Sequence, residues 1–183
     1  LVQIVNKFVH DNRVTYQLYS PEDYWRQYAH ASPIDDAETI YLKRMLQVGL
    51  PVNPRNELVN NLFREYVSED EETFSKALYL RSSQIREMIG HGMYFGVHGY
   101  DHVFMNSISA DAQREDLVKA LDFLQDVGAP TEQWCFAYPF GTYDQSLTKL
   151  SQSLGCVLGL ISFGGMANLY KDSFMALPRI DTV

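Results

Sequence analysis

The sequence predicts an α/β fold built on parallel strands, and three observations carry that prediction. From about residue 80 onward, short apolar runs alternate with amphipathic helical stretches, the order that produces a parallel sheet with helices outside it. Two of those runs end in loops rich in glycine and chemistry-bearing side chains, Gly96-Val-His-Gly-Tyr-Asp-His102 and Phe136-Ala-Tyr-Pro-Phe-Gly-Thr-Tyr143. The stretch before residue 80 reads as mostly helical, so the strands are concentrated in the second part of the chain. Strand-end loops of this kind suggest an active site at the rim of a barrel.

Helix-start signals justify the first elements. Ser20-Pro-Glu-Asp supplies an N-cap serine, a proline at the first helical position and acids in the first turn. Ser32-Pro33 marks a second start, with Ile40, Leu42, Met45 and Leu46 on one face until Gly49 closes the helix. Asn53-Pro54 opens a third, striped by Leu58, Leu62 and Phe63, and Ser68-Glu-Asp-Glu71 reads as the capping box of a fourth. A short helix after Ser83 ends at Gly90-His-Gly92, and a strand, Met93–Val97, follows. Ser109 caps a long amphipathic helix, Ala110 to Val127, closed by Gly128. Then come a strand Trp134–Tyr138, a helix from about Gln145 to Leu154, and a strand Cys156–Ile161. The extended run Met175–Ile180 carries Pro178, which suits a sheet edge or strand end. With no linker, repeat or low-complexity segment, residues 1–183 read as a single domain. Residues 1–80 would be a mostly helical insertion, and 81–183 would carry the barrel strands, helices and motifs.

Composition sets limits on function. A chain of 183 residues with 46% apolar and 21% charged residues is an ordinary globular balance with room for a sizeable core. The formal charge of −8, with no basic cluster interleaved with aromatics, argues against nucleic acid or an anionic membrane as partner. No apolar run approaches the ~20 residues that span a bilayer. Cys135 and Cys156 lie in separate apolar segments and read as reduced and buried, which fits a cytoplasmic protein. Leu1-Val-Gln-Ile-Val-Asn6 shows neither an initiator Met nor a signal peptide, and Val183 falls in an extended run, so both ends read as cut.

His98 and His102 form a His-x3-His pair. Gly99 and the β-like run before it place the pair on a loop rather than a helix face. The H-E-x-x-H pattern of helical zinc proteases is absent, since glycine follows His98. A catalytic zinc keeps three protein ligands and one open position, so the pair needs a third ligand, most naturally a carboxylate. On spacing alone, a hydrogen-bonded structural histidine beside a surface one remains an alternative reading. His91 reads as a helix-end residue, and His10 and His30 have no partners in sequence. Ser107 and Ser109 near His102 lack a nucleophile elbow, and Gly164-Gly165 lacks a phosphate loop.

The run Ser83 to His98 resembles the segment of NodB-type polysaccharide deacetylases (carbohydrate esterase family 4-like) that leads from a helix through Gly-His to a strand and the first metal histidine. His98 and His102 match the family's His-Ser/Thr-x-x-His-Pro motif, with Gly99 replacing the hydroxyl residue and Val103 the proline. That glycine removes a loop-bracing hydrogen bond. Phe136-Ala-Tyr-Pro-Phe-Gly141 resembles the Arg-Pro-Pro-Tyr-Gly motif in its Tyr-Pro-aromatic-Gly variant, which maps an oxyanion-hole N–H onto Phe140. The motif's arginine, which steadies the catalytic aspartate, maps to Ala137. Leu177-Pro-Arg-Ile-Asp181 is similar to a late Leu-Pro-Arg-Ile segment, and Arg179 is expected to take over the missing role.

The resemblance covers roughly residues 80–183, and the stretch before it is similar to an insertion found in some members. The family's opening Thr-Phe-Asp-Asp-Gly, whose aspartates are general base and metal ligand, has no counterpart here. Ile34-Asp-Asp-Ala37 imitates its letters but reads as first-turn acids of a helix. The chain is therefore expected to begin below that motif, with the base and third ligand upstream of Leu1. The late histidine acid is missing as well, and beyond Val183 is one place for it.

What the resemblance implies is a NodB-like distorted (β/α) barrel, incomplete at its N-terminus and carrying a helical insertion. The implied activity is metal-dependent removal of N-acetyl groups from an amino-sugar polymer or glycan intermediate. A divalent metal, zinc above others, would sit on His98 and His102, with Phe140 and Arg179 as catalytic residues. Tyr138, Pro139 and Tyr100 would meet an N-acetylated carbohydrate, although core packing is an equal reading for Tyr138. Taken alone, the chain is expected to be inactive. A non-catalytic barrel that binds a glycan or scaffolds a complex is the competing reading.

Overall fold

A computed structural model describes residues 1–180. They fall into two compact units, one up to Tyr79 and one from Leu80 onward. Asp181, the last residue of the Leu-Pro-Arg-Ile-Asp segment, lies outside the described residues.

The first unit is helical throughout: α1 (Val2–Asn12), α2 (Pro21–Tyr28), α3 (Ala37–Arg44), which runs on as a π-helical turn Met45–Gly49, α4 (Val52–Tyr66) and α5 (Glu71–Leu78). Val5 and Val9 of α1, Tyr24, Tyr41, Met45, Leu50 and Leu58 close around one buried cluster. Burial pushes the Tyr41 phenol up to about 12, and its hydroxyl donates to Asn6 Oδ1 at 2.5 Å.

Ser20 caps α2 as expected, its Oγ accepting the Asp23 N–H at 3.1 Å, with Pro21 at the first position. Three other starts differ from the sequence expectation. Ser32 Oγ accepts the Ile34 and Asp35 N–H groups, making a turn, and Asp36 caps α3 by accepting the Thr39 N–H at 2.7 Å. Asp35 and Asp36 thus precede the helix instead of filling its first turn. Helix α4 begins at Val52 and places Pro54, buried, within its first turn. Asp70 caps α5 through the Thr73 N–H at 2.9 Å, while Ser68 Oγ receives the Asp70 N–H. In both displaced caps a carboxylate has taken the position, where the helix dipole favours negative charge over a neutral hydroxyl.

The second unit mixes helix and strand. Its elements are α6 (Ser82–Gly90), α7 (Ala110–Val127), β1 (Trp134–Ala137), α8 (Gln145–Ser153) and β2 (Cys156–Leu160). Strands β1 and β2 pair in parallel, with Phe136 opposite Gly159 and Ala137 opposite Leu160. Parallel bridges extend the sheet on either side, from Val97 to Phe136 and from Leu160 to Leu177. Four parallel segments therefore lie in the order Val97, β1, β2, Leu177. The expected strands Met93–Val97 and Met175–Ile180 reduce to these single bridges, and a closed barrel is not seen among the described residues.

Period-two alternation buries Trp134, Phe136 and Tyr138 on one face of β1 and its continuation. They form one core with Leu117, Ala120 and Leu124 of α7, Leu147 of α8, Val97 and Met175. Gly128, with φ +83°, ends α7 in the left-handed conformation that glycine adopts freely. Cys156 is buried, Cys135 half-buried, and both are free thiols.

Gly159 is where β2 and the last segment touch most closely. A Cβ there would stand 2.3 Å from the Met175 carbonyl oxygen and 2.7 Å from Tyr138 Oη. Backbone cannot swing away as a side chain can. Gly159→Ala is expected to destabilise the second unit by about 1–3 kcal/mol, as overpacked cores do. A urea denaturation midpoint equal to wild type would contradict that contact.

Candidate active site

Parallel pairing brings the carboxyl ends of four segments to one edge, the place where open α/β sheets and barrels bind ligands. His98 follows Val97, Tyr138–Gly141 follows β1, Ile161 follows β2, and Arg179 lies two residues beyond Leu177. The two motif loops meet there.

The loop after Val97 curls because two of its residues are left-handed, Gly99 at φ +75° and His102 at φ +50°. That curl returns the His102 ring to His98, with the Nε2 atoms 3.1 Å apart and ring centroids 4.7 Å apart. His98 Nδ1 lies 2.6 Å from the Ala137 carbonyl oxygen. An imidazole nitrogen can only donate to a carbonyl, so Nδ1 carries the proton and Nε2 presents its lone pair. Partial loss of hydration, and the His98 imidazole beside it, hold His102 below the ordinary histidine range, which favours the neutral ring.

This donor set fits a metal. Two nitrogens on one tetrahedral zinc, each about 2.0–2.1 Å from it, stand roughly 3.3 Å apart, close to the 3.1 Å seen between the Nε2 atoms. The carbonyl behind His98 is the outer partner that metal-bound histidines take. Among the described residues, however, no group of three or more His, Cys, Asp or Glu side chains converges. The pair could supply two ligands, and a tetrahedral catalytic site would take a third.

The second loop carries strain of its own. Phe140 adopts φ +56°, which a bulky side chain rarely does. Its ring stacks on Phe104 with centroids 3.8 Å apart and planes within 1°, and lies 4.8 Å from the His102 ring. Gly141 is fixed by space: a Cβ would fall 1.9 Å from Ser162 Oγ, whose hydroxyl donates to the Phe140 carbonyl at 3.2 Å.

The remaining predicted residues divide. Tyr138 is 0% exposed and its hydroxyl donates to the Met175 carbonyl at 2.9 Å, so its ring belongs to the core and has no face to offer a sugar. Burial pushes its phenol well up. Pro139 is also buried, and its Cγ would lie 3.3 Å from a Cβ on Gly99, so it joins the two loops. The alternation that buries Trp134 and Phe136 also buries Tyr138, which selects its core reading; Pro139, buried in the turn that follows, departs from its expected sugar-binding role. Tyr100 is exposed, with Lys119 Nζ 5.9 Å from its ring centroid. Arg179 is exposed and its Nε donates to the Ile161 carbonyl at 3.1 Å.

Three participants were not singled out by the sequence reading. They are the Ala137 carbonyl, the Phe104 ring and Asp116 of α7, whose carboxylate accepts the Tyr100 and Asp101 N–H groups at 2.9 and 2.8 Å. The signal for Asp116 was present: an acid on a helical stripe that also holds Gln113, Leu117, Ala120, Leu124 and Val127.

A polysaccharide deacetylase family model matches residues 60–159, more than half of the chain and a span that includes both motif loops. The chain belongs to the polysaccharide deacetylase family, whose members are hydrolases of the amide bonds of acetylated sugars. Among solved structures it is similar to the Streptococcus pyogenes deacetylase PplD in complex with acetate. That match has 18% identity and a TM-score of 0.53, over 98% of this chain and 80% of that one. The family 4 carbohydrate esterase from Streptomyces lividans in complex with acetate matches at 20% identity and a TM-score of 0.39, over 42% of this chain and 39% of that one. No curated protein matches the chain. Among the described residues no helix is long and apolar enough to cross a membrane.

The ring arrangement makes a spectroscopic prediction. In metal-free protein, 15N-detected imidazole spectra are expected to show His98 protonated on Nδ1 and His102 on Nε2, the latter donating to His98 Nε2. A His98 proton found on Nε2 would contradict the Ala137 contact.

Proposed function

We propose that His98 and His102 hold a divalent metal, zinc above others, and that this protein is a metal-dependent deacetylase of an amino-sugar polymer or glycan intermediate. The observation that carries the proposal is the Nε2 pair 3.1 Å apart, with the other nitrogen of His98 tied to the Ala137 carbonyl. When bound, such an ion polarises an amide carbonyl and lowers the pKa of a coordinated water. Family membership supports the reaction class.

The chain's own residues take the other roles. The Phe140 N–H donates to the substrate's carbonyl oxygen as it gains charge. The left-handed conformation of Phe140 costs on the order of 1–3 kcal/mol, and the Phe104 stack helps hold it. Arg179, anchored through Nε to the Ile161 carbonyl, uses its terminal nitrogens to orient the carboxylate base. Tyr100 offers an exposed ring to the sugar. The base and the third ligand are carboxylates additional to these residues. In this reading the four parallel segments belong to a distorted (β/α) barrel of NodB type, and the helical first unit is an insertion within one domain.

Calorimetric titration of Zn2+ into the 183-residue chain tests the metal site. One-to-one binding is expected, weakened in both His98→Ala and His102→Ala by more than the ~10–100-fold that outer-shell partners cost. Equal affinity in the variants would overturn it. The lack of a three-ligand cluster among the described residues favours a second reading, a glycan-binding protein without catalysis. Acetate release from N-acetylglucosamine oligomers by the complete gene product would reject that reading, and metal binding by that product without release would select it.

A further inference from the structure

Asp116 is 4% exposed, on a face of α7 shared with Leu117 and Ala120. A carboxyl group withdrawn from water needs hydrogen-bond donors to replace its hydration. Here the donors are two consecutive backbone amides lying between the two histidines. Tyr100 N–H reaches Oδ1 at 2.9 Å and Asp101 N–H reaches Oδ2 at 2.8 Å. One amide on each oxygen makes a two-point clamp, which fixes both the position and the rotation of that stretch of backbone.

The other interactions around α7 do not account for this carboxylate. Glu115 pairs with Lys119 on the same helix, and the helix is capped by Ser109. Gly99 closes the argument from the opposite side. A Cβ there would sit 3.2 Å from Asp116 Oδ1, so the missing side chain leaves room for the carboxylate to approach. The hydroxyl that the family motif carries at this position is absent, and a helix-borne carboxylate braces the loop instead.

We propose that Asp116 is the positioning residue of the histidine pair: by clamping the Tyr100 and Asp101 amides to a core-anchored helix, it sets the curl that brings His102 to His98. Gly99 turns left-handed freely, but a left-handed His102 persists only where the surroundings over-determine it, and the clamp immediately precedes it. The proposal deepens the metal-site reading and rests on it only for its metal-binding consequence.

The test compares the full 183-residue chain with its Asp116→Asn variant, using far-UV circular dichroism and the thermal midpoint to establish that the variant folds. The carboxamide keeps the shape but turns one acceptor into a donor facing an N–H. In wild type, slow hydrogen exchange is expected at Tyr100 and Asp101. In the folded variant, exchange at those two amides should accelerate by about tenfold or more while the amides around Leu124 keep their protection. The shared proton between the imidazoles should be lost, and Co2+ affinity, read from its visible spectrum, should fall roughly 10–100-fold.

A folded variant with unchanged imidazole spectra and Co2+ affinity within about twofold of wild type would overturn the proposal. If the variant does not fold, wild type decides: free exchange at Tyr100 and Asp101 overturns the clamp, and slow exchange upholds it. If wild type binds no Co2+, the metal reading fails, while the amide and imidazole readouts still decide the role of Asp116.

Discussion

The pairing of β1 with Val97 on one side and β2 on the other fixes where every motif residue stands. Backbone bonds from Val97 N–H to the Cys135 carbonyl at 2.8 Å, and from Ala137 N–H to the Val97 carbonyl at 2.9 Å, set the register. In that register His98 emerges beside Ala137, whose carbonyl receives its Nδ1 proton. A slip of one residue would move Trp134, Phe136 and Tyr138 off the core face, so core burial and site geometry are enforced by the same pairing. Because Tyr138 N–H also bonds the Leu160 carbonyl at 3.0 Å, the second loop leaves the sheet in step with the first.

Unfavourable features gather at this edge. His102 and Phe140 are left-handed without being glycine, and Asp116 buries a carboxyl group. Two of them are held by specific contacts: the Phe104 stack for Phe140, and the Tyr100 and Asp101 amides for Asp116. Strain of this kind costs folding free energy and persists where surrounding structure over-determines it, most often at ligand sites. The aromatic stack also draws Phe104, just past the histidine loop, onto the second loop, so the two cannot move independently without exposing both rings.

Much of this was legible in the chain. The helix from Ala110 to Val127, its serine cap and its closing glycine were readable because they rest on local signals. So were the strands at 134 and 156, whose apolar runs are bounded by turn residues. The displaced caps at Asp36 and Asp70 show where local signals compete: a serine and a carboxylate both stand near each start, and only three-dimensional reach decides between them. Tyr138 could be read as core or as cleft until burial placed it in the core. Asp116 was legible only as an acid on a mostly apolar helical stripe, with nothing in the sequence to tie it to the histidine loop, and the Ala137 carbonyl was not legible because a carbonyl carries no letter of its own. The matched family span ends before Arg179, so the role proposed for it rests on the Leu-Pro-Arg-Ile resemblance and on its place two residues beyond Leu177.

An anomalous difference map from a crystal of this chain soaked in zinc would test most directly whether the two histidines form one centre. A single peak bonded to Nε2 of both His98 and His102, with Nδ1 of His98 still on the Ala137 carbonyl, is the predicted result. No peak at the pair, or separate peaks on each ring with the imidazoles moved apart, would contradict it.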